Sequence, residues 1–287
     1  MKKIIKILSG LLIVIAVLSV IVWQSSRNQE LKVYFFDVGQ GDAILIRTPS
    51  RQNIVIDGGP DNSFITKLGE TLPFYDKTID LMVLTHPHDD HLFGLIEVLK
   101  RYQVKQVLST GVIHTTDAYL DWLKIIRDKK IPLKVAQAGQ KYIFGQIELK
   151  VLYPFQDFTN QQVENLHEAM VVVQLVYGEV KIMFTGDLEE AGETEILKQY
   201  QPELHSQLIK IAHHGSTTSS NNDFLKAIAP QFAVISVGAD NKFGHPSLRI
   251  IRRLEKLGIK IYRTDQAGDI TAVTDNQKIT IISQNSH

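Results

Sequence analysis

Between residues 7 and 26 the chain carries no charged side chain, and Ser9, Gly10 and Ser19 are the breaks in seventeen otherwise apolar positions. A bilayer core needs about 20 helical residues, so the run is long enough to span one. From Leu31 the pattern changes to short β-rich runs alternating with helical ones. Residues 31–38, 43–47 and 53–56 read as strands, being dense in Val, Ile, Tyr and Phe. Residues 62–71 read as a helix, 81–84 as a short buried strand, and 92–102 as a helix with Leu92, Leu95, Ile96 and Leu99 on one face. A strand over 105–109, a helix over 117–128 and an extended segment at 133–135 follow. The second half repeats the theme. A hairpin over 142–152 turns at Gly145, and strands 170–177 and 180–184 turn at Gly178. Helices over 188–200, 222–229 and 247–257 alternate with strands over 207–212, 232–237 and 260–262, and 270–282 is β-like. Two such halves predict an α/β fold with two sheets face to face and helices outside. No low-complexity stretch interrupts residues 31–287, which are read as one domain.

Composition narrows the chemistry. There is no cysteine among the 287 residues. That removes disulfides, thiolate metal sites and cysteine nucleophiles together, so any metal must sit on His and carboxylates. Formal net charge is zero, but Lys2, Lys3 and Lys6 precede the apolar run, which leaves the rest slightly acidic. Basic residues stay on the cytoplasmic side, so the expected order is a cytoplasmic tail at 1–6, a transmembrane anchor at 7–26, a linker at 27–30 and an extracytoplasmic domain at 31–287. A cleaved signal peptide is the alternative; the run is long for one and no A-x-A site follows. A nucleic-acid substrate would need a local basic patch; the one dense basic stretch is Arg249, Arg252, Arg253, Lys256, Lys260 and Arg263, for which a solvated helix face is the plainer reading.

The chemistry concentrates in His86-Pro-His88-Asp-Asp90-His91, directly after a strand. His86 and His88 are two apart on extended chain and point to one side. Asp90 and His91 sit where the chain turns into a helix. One metal can take the first pair and a second metal the other. Imidazole and carboxylate without thiolate suit Zn, Mn or Fe. Three other apolar strands end in ligand types: Asp57-Gly-Gly, Thr-Gly-Asp187 and His213-His214-Gly-Ser216. Each alone is a common turn or cap. Together with the histidine cluster they support one another.

This HxHxDH string, with the earlier strand-Asp and the later TGD and HHGS, resembles the metallo-β-lactamase superfamily over most of residues 31–287. Within it the chain looks similar to the metallo-hydrolase domain of ComEC-type competence DNA-uptake proteins. The residues that say so are Asp37-Val-Gly-Gln40-Gly-Asp42, His213-His214-Gly-Ser-Thr-Thr-Ser-Ser, Ser236-Val-Gly with Asn241, Gly244-His245-Pro246, and Tyr262-Arg-Thr-Asp265-Gln-Ala-Gly268. The resemblance implies an αββα sandwich and two divalent ions, Zn or Mn. It implies His86 and His88 on the first metal, Asp90 and His91 on the second, Asp187 bridging, and His214 completing the second site. His213 would then stand behind the ligands, and Asp57 would orient the site. The superfamily often has another histidine before the bridging-acid strand; here His167, Glu168 or a water would take its place.

Such a pair of ions lowers the pKa of a shared water and directs hydroxide at a phosphoryl or carbonyl centre. Asp90 would help position that water, and His245 would supply the leaving group with a proton. Ser216 and Thr217 would bind a substrate oxyanion through backbone N–H groups or hydroxyls, and Asp37, Asp42 and Asn241 would lie behind the site or touch substrate. The expected activity is a membrane-anchored phosphodiesterase or nuclease acting on extracellular DNA or a related phosphate ester. A hydrolase of another ester (phosphocholine ester, lactone or β-lactam) and a non-catalytic binding module are the alternatives, because fold does not decide substrate.

Overall fold

The computed structural model describes residues 2–27 and 30–285, the side chains of residues 2 and 20–27 excepted. Two sheets carry the fold. One has eight strands in the order Ile279–Ser283, Ile270–Thr274, Leu31–Phe35, Ala43–Arg47, Asn53–Gly58, Leu81–Val83, Val107–Ser109 and Leu133–Val135. The other has seven, in the order Lys260–Arg263, Phe232–Ile235, Leu208–Lys210, Val180–Phe184, Val172–Tyr177, Ile147–Tyr153 and Lys141–Phe144.

The period-two alternation of strands sorts their side chains into layers. Ile44, Ile46, Ile54, Ile56, Leu81 and Val83 meet Val173, Leu175, Ile182 and Phe184 between the sheets. Leu45, Val55 and Met82 point the other way, onto helices Ser63–Thr71, Asp89–Arg101 and Asp117–Asp128. Val172, Met183 and Ile209 likewise face helices Glu190–Tyr200, Asn222–Ile228 and Leu248–Lys256. Strands covered on both faces are nearly continuous in apolar residues, and the layers form the expected αββα sandwich.

Three local readings change. The two halves are not independent, because the C-terminal hairpin crosses back and pairs Ile270–Thr274 antiparallel with Leu31–Phe35 in the first sheet. The expected strand over 105–109 shortens to Val107–Ser109, which joins the large sheet, while the preceding Gln103–Val104 pairs with Thr78–Ile79. The helix expected from residue 92 starts at Asp89, after His88 in an extended conformation, which brings Asp90 and His91 into its first turn.

That helix is held tightly against the strand bearing Asp57. A Cβ on Gly58 would lie 2.5 Å from Leu95 N, so only glycine allows the approach. Parallel pairing of Asn53–Gly58 with Leu81–Val83, and of Leu208–Lys210 with Val180–Phe184 and Phe232–Ile235, puts the ligand-bearing ends of these strands on one edge. Ligands bind outside the carboxyl ends of strands in open α/β sheets for the same reason.

At the N-terminus a helix runs over Lys2–Arg27, and its described side chains, residues 3–19, are exposed. Among the described residues, no helix is long and apolar enough to cross a membrane. The expected span at 7–26 runs on into positions whose side chains are outside the described residues, as are linker residues 28 and 29.

Candidate metal centre

Two donor sets converge at the strand edge. His86, His88 and His167 form one; Asp90, His91, Asp187 and His214 form the other. The Oδ2 atom of Asp187 connects them. It lies 3.4 Å from His91 Nε2, 3.5 Å from His214 Nε2 and 4.0 Å from His86 Nε2. Asp90 Oδ2 closes the second set, 3.3 Å from His214 Nε2 and 3.8 Å from His91 Nε2.

In the first set, His86 Nε2 and His88 Nδ1 are 2.8 Å apart. The His167 ring stands 5.4 Å from that of His86 and 5.0 Å from that of His88, centroid to centroid. His167 comes from the short helical turn Leu166–Glu168, where Asn165 Oδ1 accepts its backbone N–H at 3.0 Å. Glu168 on the same turn is exposed and joins neither set. A one-residue step around a tight turn reverses its direction, so of the two substitutes His167 reaches the centre.

The residues behind the ligands fix which nitrogen each presents. Asp57 Oδ2 is 2.8 Å from His91 Nδ1, and the same carboxylate accepts Thr85 N at 2.8 Å and Thr85 Oγ1 at 2.7 Å. Asp57 sits at φ 57°, a left-handed position that Asp tolerates better than most residues. The Ser236 carbonyl lies 2.8 Å from His214 Nδ1. His213 and His214 both hold φ 52°, a left-handed conformation that costs roughly 1–2 kcal/mol per residue.

The donor chemistry fits divalent cations. His91 Nε2, His214 Nε2, His167 Nε2 and Asp187 Oδ1 are buried with no hydrogen-bond partner. Each such group costs about 1–3 kcal/mol unless something satisfies it. The charges agree. Burial would raise the Asp187 carboxyl, but His214 and His91 outweigh it and hold the pKa well below the usual carboxylate range. Burial would also raise Asp90; His91 and His214 bring it down to about 2. Burial lowers His86 well below the usual imidazole range and lowers His88 as well, which keeps both neutral for ligation.

Two residues at the centre carry no signal in a motif search. Lys210 is fully buried, bonds Asp42 closely through Nζ, and donates to Gly186 O at 3.0 Å. Burial would lower its pKa, but Asp42 and Asp187 overcome that and raise it. Glu189 Oε1 lies 3.4 Å from His167 Nδ1 and 3.7 Å from His213 Nδ1, and these three form a further set of potential donors. An Ile-Lys-Ile strand and a second acid after Gly-Asp were the available hints.

Other expected participants sit elsewhere. Asp42 is buried against Lys210 and offers no surface to a substrate. Asp37 turns away: its Oδ1 accepts Gly39 N at 3.2 Å, and its own N–H bonds Asp269 Oδ1 at 2.8 Å. The backbone N–H of Ser216 is not open to an oxyanion, because it donates to His213 O at 2.8 Å, and Ser216 Oγ pairs with Thr218 Oγ1 at 3.1 Å. Thr217 is exposed beside it. His213 packs between His167 and His245, at 4.4 and 5.7 Å between ring centroids, and burial takes its pKa down to about 4. Asn241 braces the loop that carries His245. Its Nδ2 donates to Gly238 O at 2.8 Å and His245 O at 2.7 Å, and its Oδ1 accepts His245 N at 3.0 Å. His245 itself is half-buried at the rim, with its pKa lowered by burial. Gln40 Oε1 accepts Gly238 N at 3.3 Å, which joins the N-terminal loop to this one.

The fold and this centre define a class, the metal-dependent hydrolases of the metallo-β-lactamase superfamily. Residues 36–239 match that superfamily, and the chain belongs to it. Within it, the chain is similar to ComE operon protein 3 of Bacillus subtilis (strain 168), with 26% identity over 260 residues, and to competence protein ComA of Neisseria gonorrhoeae, with 28% over 242. The first alignment covers 85% of this chain and 33% of the relative; the second covers 84% and 32%. The chain thus spans about one third of the length of these curated relatives. Among solved structures, the metallo-β-lactamase fold protein YhfI from Bacillus subtilis superposes with a TM-score of 0.55 at 10% identity, covering 86% of this chain and 100% of that one. CmlA, a diiron β-hydroxylase from Streptomyces venezuelae, gives 0.55 at 16% identity, covering 85% and 54%. These two establish likeness of fold.

Proposed function

We propose that the chain is a metal-dependent phosphodiesterase acting on DNA or a closely related phosphate ester outside the cell, held to the membrane by its N-terminal helix. The observation that carries the hydrolase reading is the position of Asp187 Oδ2, within 4.0 Å of ring nitrogens from both donor sets at once. His86, His88 and His167 would hold one cation; Asp90, His91 and His214 would hold the other, with Asp187 shared. When bound, the pair supplies Lewis acidity and an activated water. The chain's own residues do the rest. Asp57 and the Ser236 carbonyl hold His91 and His214 with Nε2 toward the centre. Asp90 orients the nucleophilic side. His245, carried on the Asn241-braced loop, gives a proton to the leaving oxygen once the charge of a bound phosphate offsets the burial that otherwise depresses its pKa.

Similarity to competence proteins points the substrate toward nucleic acid. Membrane attachment is supported by the charge-free run at 7–26, the three lysines before it and the exposed apolar side chains from Ile4 to Leu18. The division into a tail at 1–6, an anchor at 7–26, a linker at 27–30 and a catalytic domain at 31–287 follows from the same features.

The test uses the full chain in mild detergent, loaded with Mn²⁺ or Zn²⁺, on labelled single- and double-stranded DNA and on bis(p-nitrophenyl) phosphate. Metal-dependent cleavage, abolished together with metal content in a folded Asp187→Ala variant, is the expected result. A folded, metal-loaded sample that cleaves no diester but opens a lactone or β-lactam would replace the phosphodiesterase reading. Protease access on intact cells reads the topology: degradation of the domain from outside is expected, and protection overturns the orientation.

A further inference from the structure

The basic stretch near the C-terminus separates into two populations. Arg263 is paired with Asp265, 3.0 Å from Nε to Oδ1, and Lys260 lies over the Tyr262 ring at 5.2 Å. Arg253 turns inward, and its Nη1 donates to Ser220 O at 2.5 Å. Arg249, Arg252 and Lys256 differ. All three are exposed on helix Leu248–Lys256, and among the described residues none has a hydrogen-bond or carboxylate partner. Another surface cluster of cations is largely paired: Lys100 and Arg101 hold Glu97, Lys105 holds Asp80, and Lys129 donates to Leu99 O. Exposed like charges left together without partners repel one another, and a polyanion relieves that repulsion.

Their arrangement is directional. Arg249, Arg252, Arg253 and Lys256 recur at i, i+3, i+4 and i+7 and, with Asn222, line a concave surface. The row extends about 10 Å along the helix axis. It also leads from the metal centre. Ser247, the residue that caps this helix, donates its N–H to Gly215 O at 3.0 Å, and Gly215 directly follows His214. Asn222, which shares the lining, opens the helix that follows the loop leaving His214. At the near end Phe243 is 59% exposed, stacked on His245 at 5.9 Å between centroids, with Lys242 Nζ 5.5 Å from its ring. An exposed aromatic flanked by a cation, a few residues before the helix that carries the basic row, supplies the two contacts by which unpaired nucleic acid is bound, stacking and backbone charge.

We infer that the surface from Lys242 and Phe243 along Arg249, Arg252 and Lys256 is a track for single-stranded nucleic acid, with a base on Phe243 and the backbone on the helix. The inference rests on the phosphodiesterase reading of the neighbouring centre for its purpose, but its test reads binding without turnover. Full-length protein in non-ionic detergent, with metal withheld, is titrated with a fluorescent oligothymidylate at several salt concentrations. The variant Arg249→Gln/Arg252→Gln/Lys256→Gln should bind more weakly and lose about 2 from the slope of log affinity against log salt, at about 0.7 per contact. Removing as many charges in Lys124→Gln/Arg127→Gln/Lys130→Gln should leave the slope as in the parent. Phe243→Ala should weaken single-strand binding about tenfold or more, with duplex binding little changed. A parental slope in the Arg249/Arg252/Lys256 variant overturns the track. So does a Phe243→Ala effect equal for duplex and single strand, because stacking would then not be the contact. A track variant that loses its slope in a protein that hydrolyses no diester supports the track and removes the phosphodiesterase reading instead.

Discussion

The carboxylate of Asp57 lies 2.8 Å from Nδ1 of His91 and, through that bond, turns the opposite nitrogen of His91 toward Asp187 and Asp90. Burial raises the Asp57 pKa although His91 and the Thr85 N–H pull against it. A cation on the far nitrogen of His91 would strengthen the Nδ1–H···Oδ2 bond.

Asp57→Asn tests that coupling. Asn tolerates the φ of 57° nearly as well as Asp, so the backbone is kept while the charge is removed. Metal affinity should fall about tenfold to hundredfold, measured by competition with a chromogenic chelator. Unchanged affinity in a folded variant would show that Asp57 orients nothing.

The sheet layers and the convergence of His86, His88, Asp90, His91, Asp187 and His214 were legible in the sequence, because apolar strands that end in ligand types can be recognised one strand at a time. What escaped depends on backbone conformation and on partners distant in sequence. Whether Ser216 offers its N–H is decided by the left-handed turn at His213 and His214, whose φ values no composition reveals. Asp37 is drawn off by Asp269, 232 residues away. The return of Ile270–Thr274 to the first sheet is a pairing between the two ends of the domain, so a local periodicity has nothing to say about it.

Glu189 is the clearest residue of that kind. Its Oε1 is 3.4 Å from His167 Nδ1, while His167 Nε2 is buried without a partner on the side of His86 and His88. Glu189 is thus a positioning residue for the first donor set. Glu189→Gln should weaken retention of one metal ion during dialysis and leave the ion held by Asp90, His91 and His214 in place, as read by metal analysis against protein concentration. Equal loss of both ions, or of neither, would contradict this role.

Lys210 and Asp42 make a buried pair, at 0% and 1% exposure, between the two sheets' ligand-bearing ends. Lys210→Met keeps length and volume but leaves the Asp42 carboxylate without its counter-charge. Breaking one side of such a pair costs about 3–5 kcal/mol, whereas replacing both is far milder. The urea midpoint should therefore drop sharply in Lys210→Met and recover in part in Lys210→Met/Asp42→Asn. A single variant within about 1 kcal/mol of the parent would mean that water reaches the pair.

Glu193 supplies a pH dependence away from the metal ligands. Its carboxylate accepts the N–H of Ser220, the N–H of Asn221 at 2.8 Å and Asn221 Nδ2 at 2.7 Å, which ties helix Glu190–Tyr200 to the loop that follows His214. Burial nevertheless dominates those donors and pushes its pKa up to about 7, from 4.5. A folded-state pKa above the free value means that the folded form holds the proton more tightly. The contribution of Glu193 to stability is then complete below about 4.5 and is lost as pH rises through about 7. The unfolding temperature of the parent should decline across that window by more than that of Glu193→Gln, whose amide does not titrate, whatever the absolute stability of the variant. The comparison is the difference between pH 5 and pH 8 within each protein, taken by differential scanning calorimetry in a chelating buffer so that metal loss affects neither. An equal decline in both would assign the pH dependence to other groups and leave Glu193 ionised throughout.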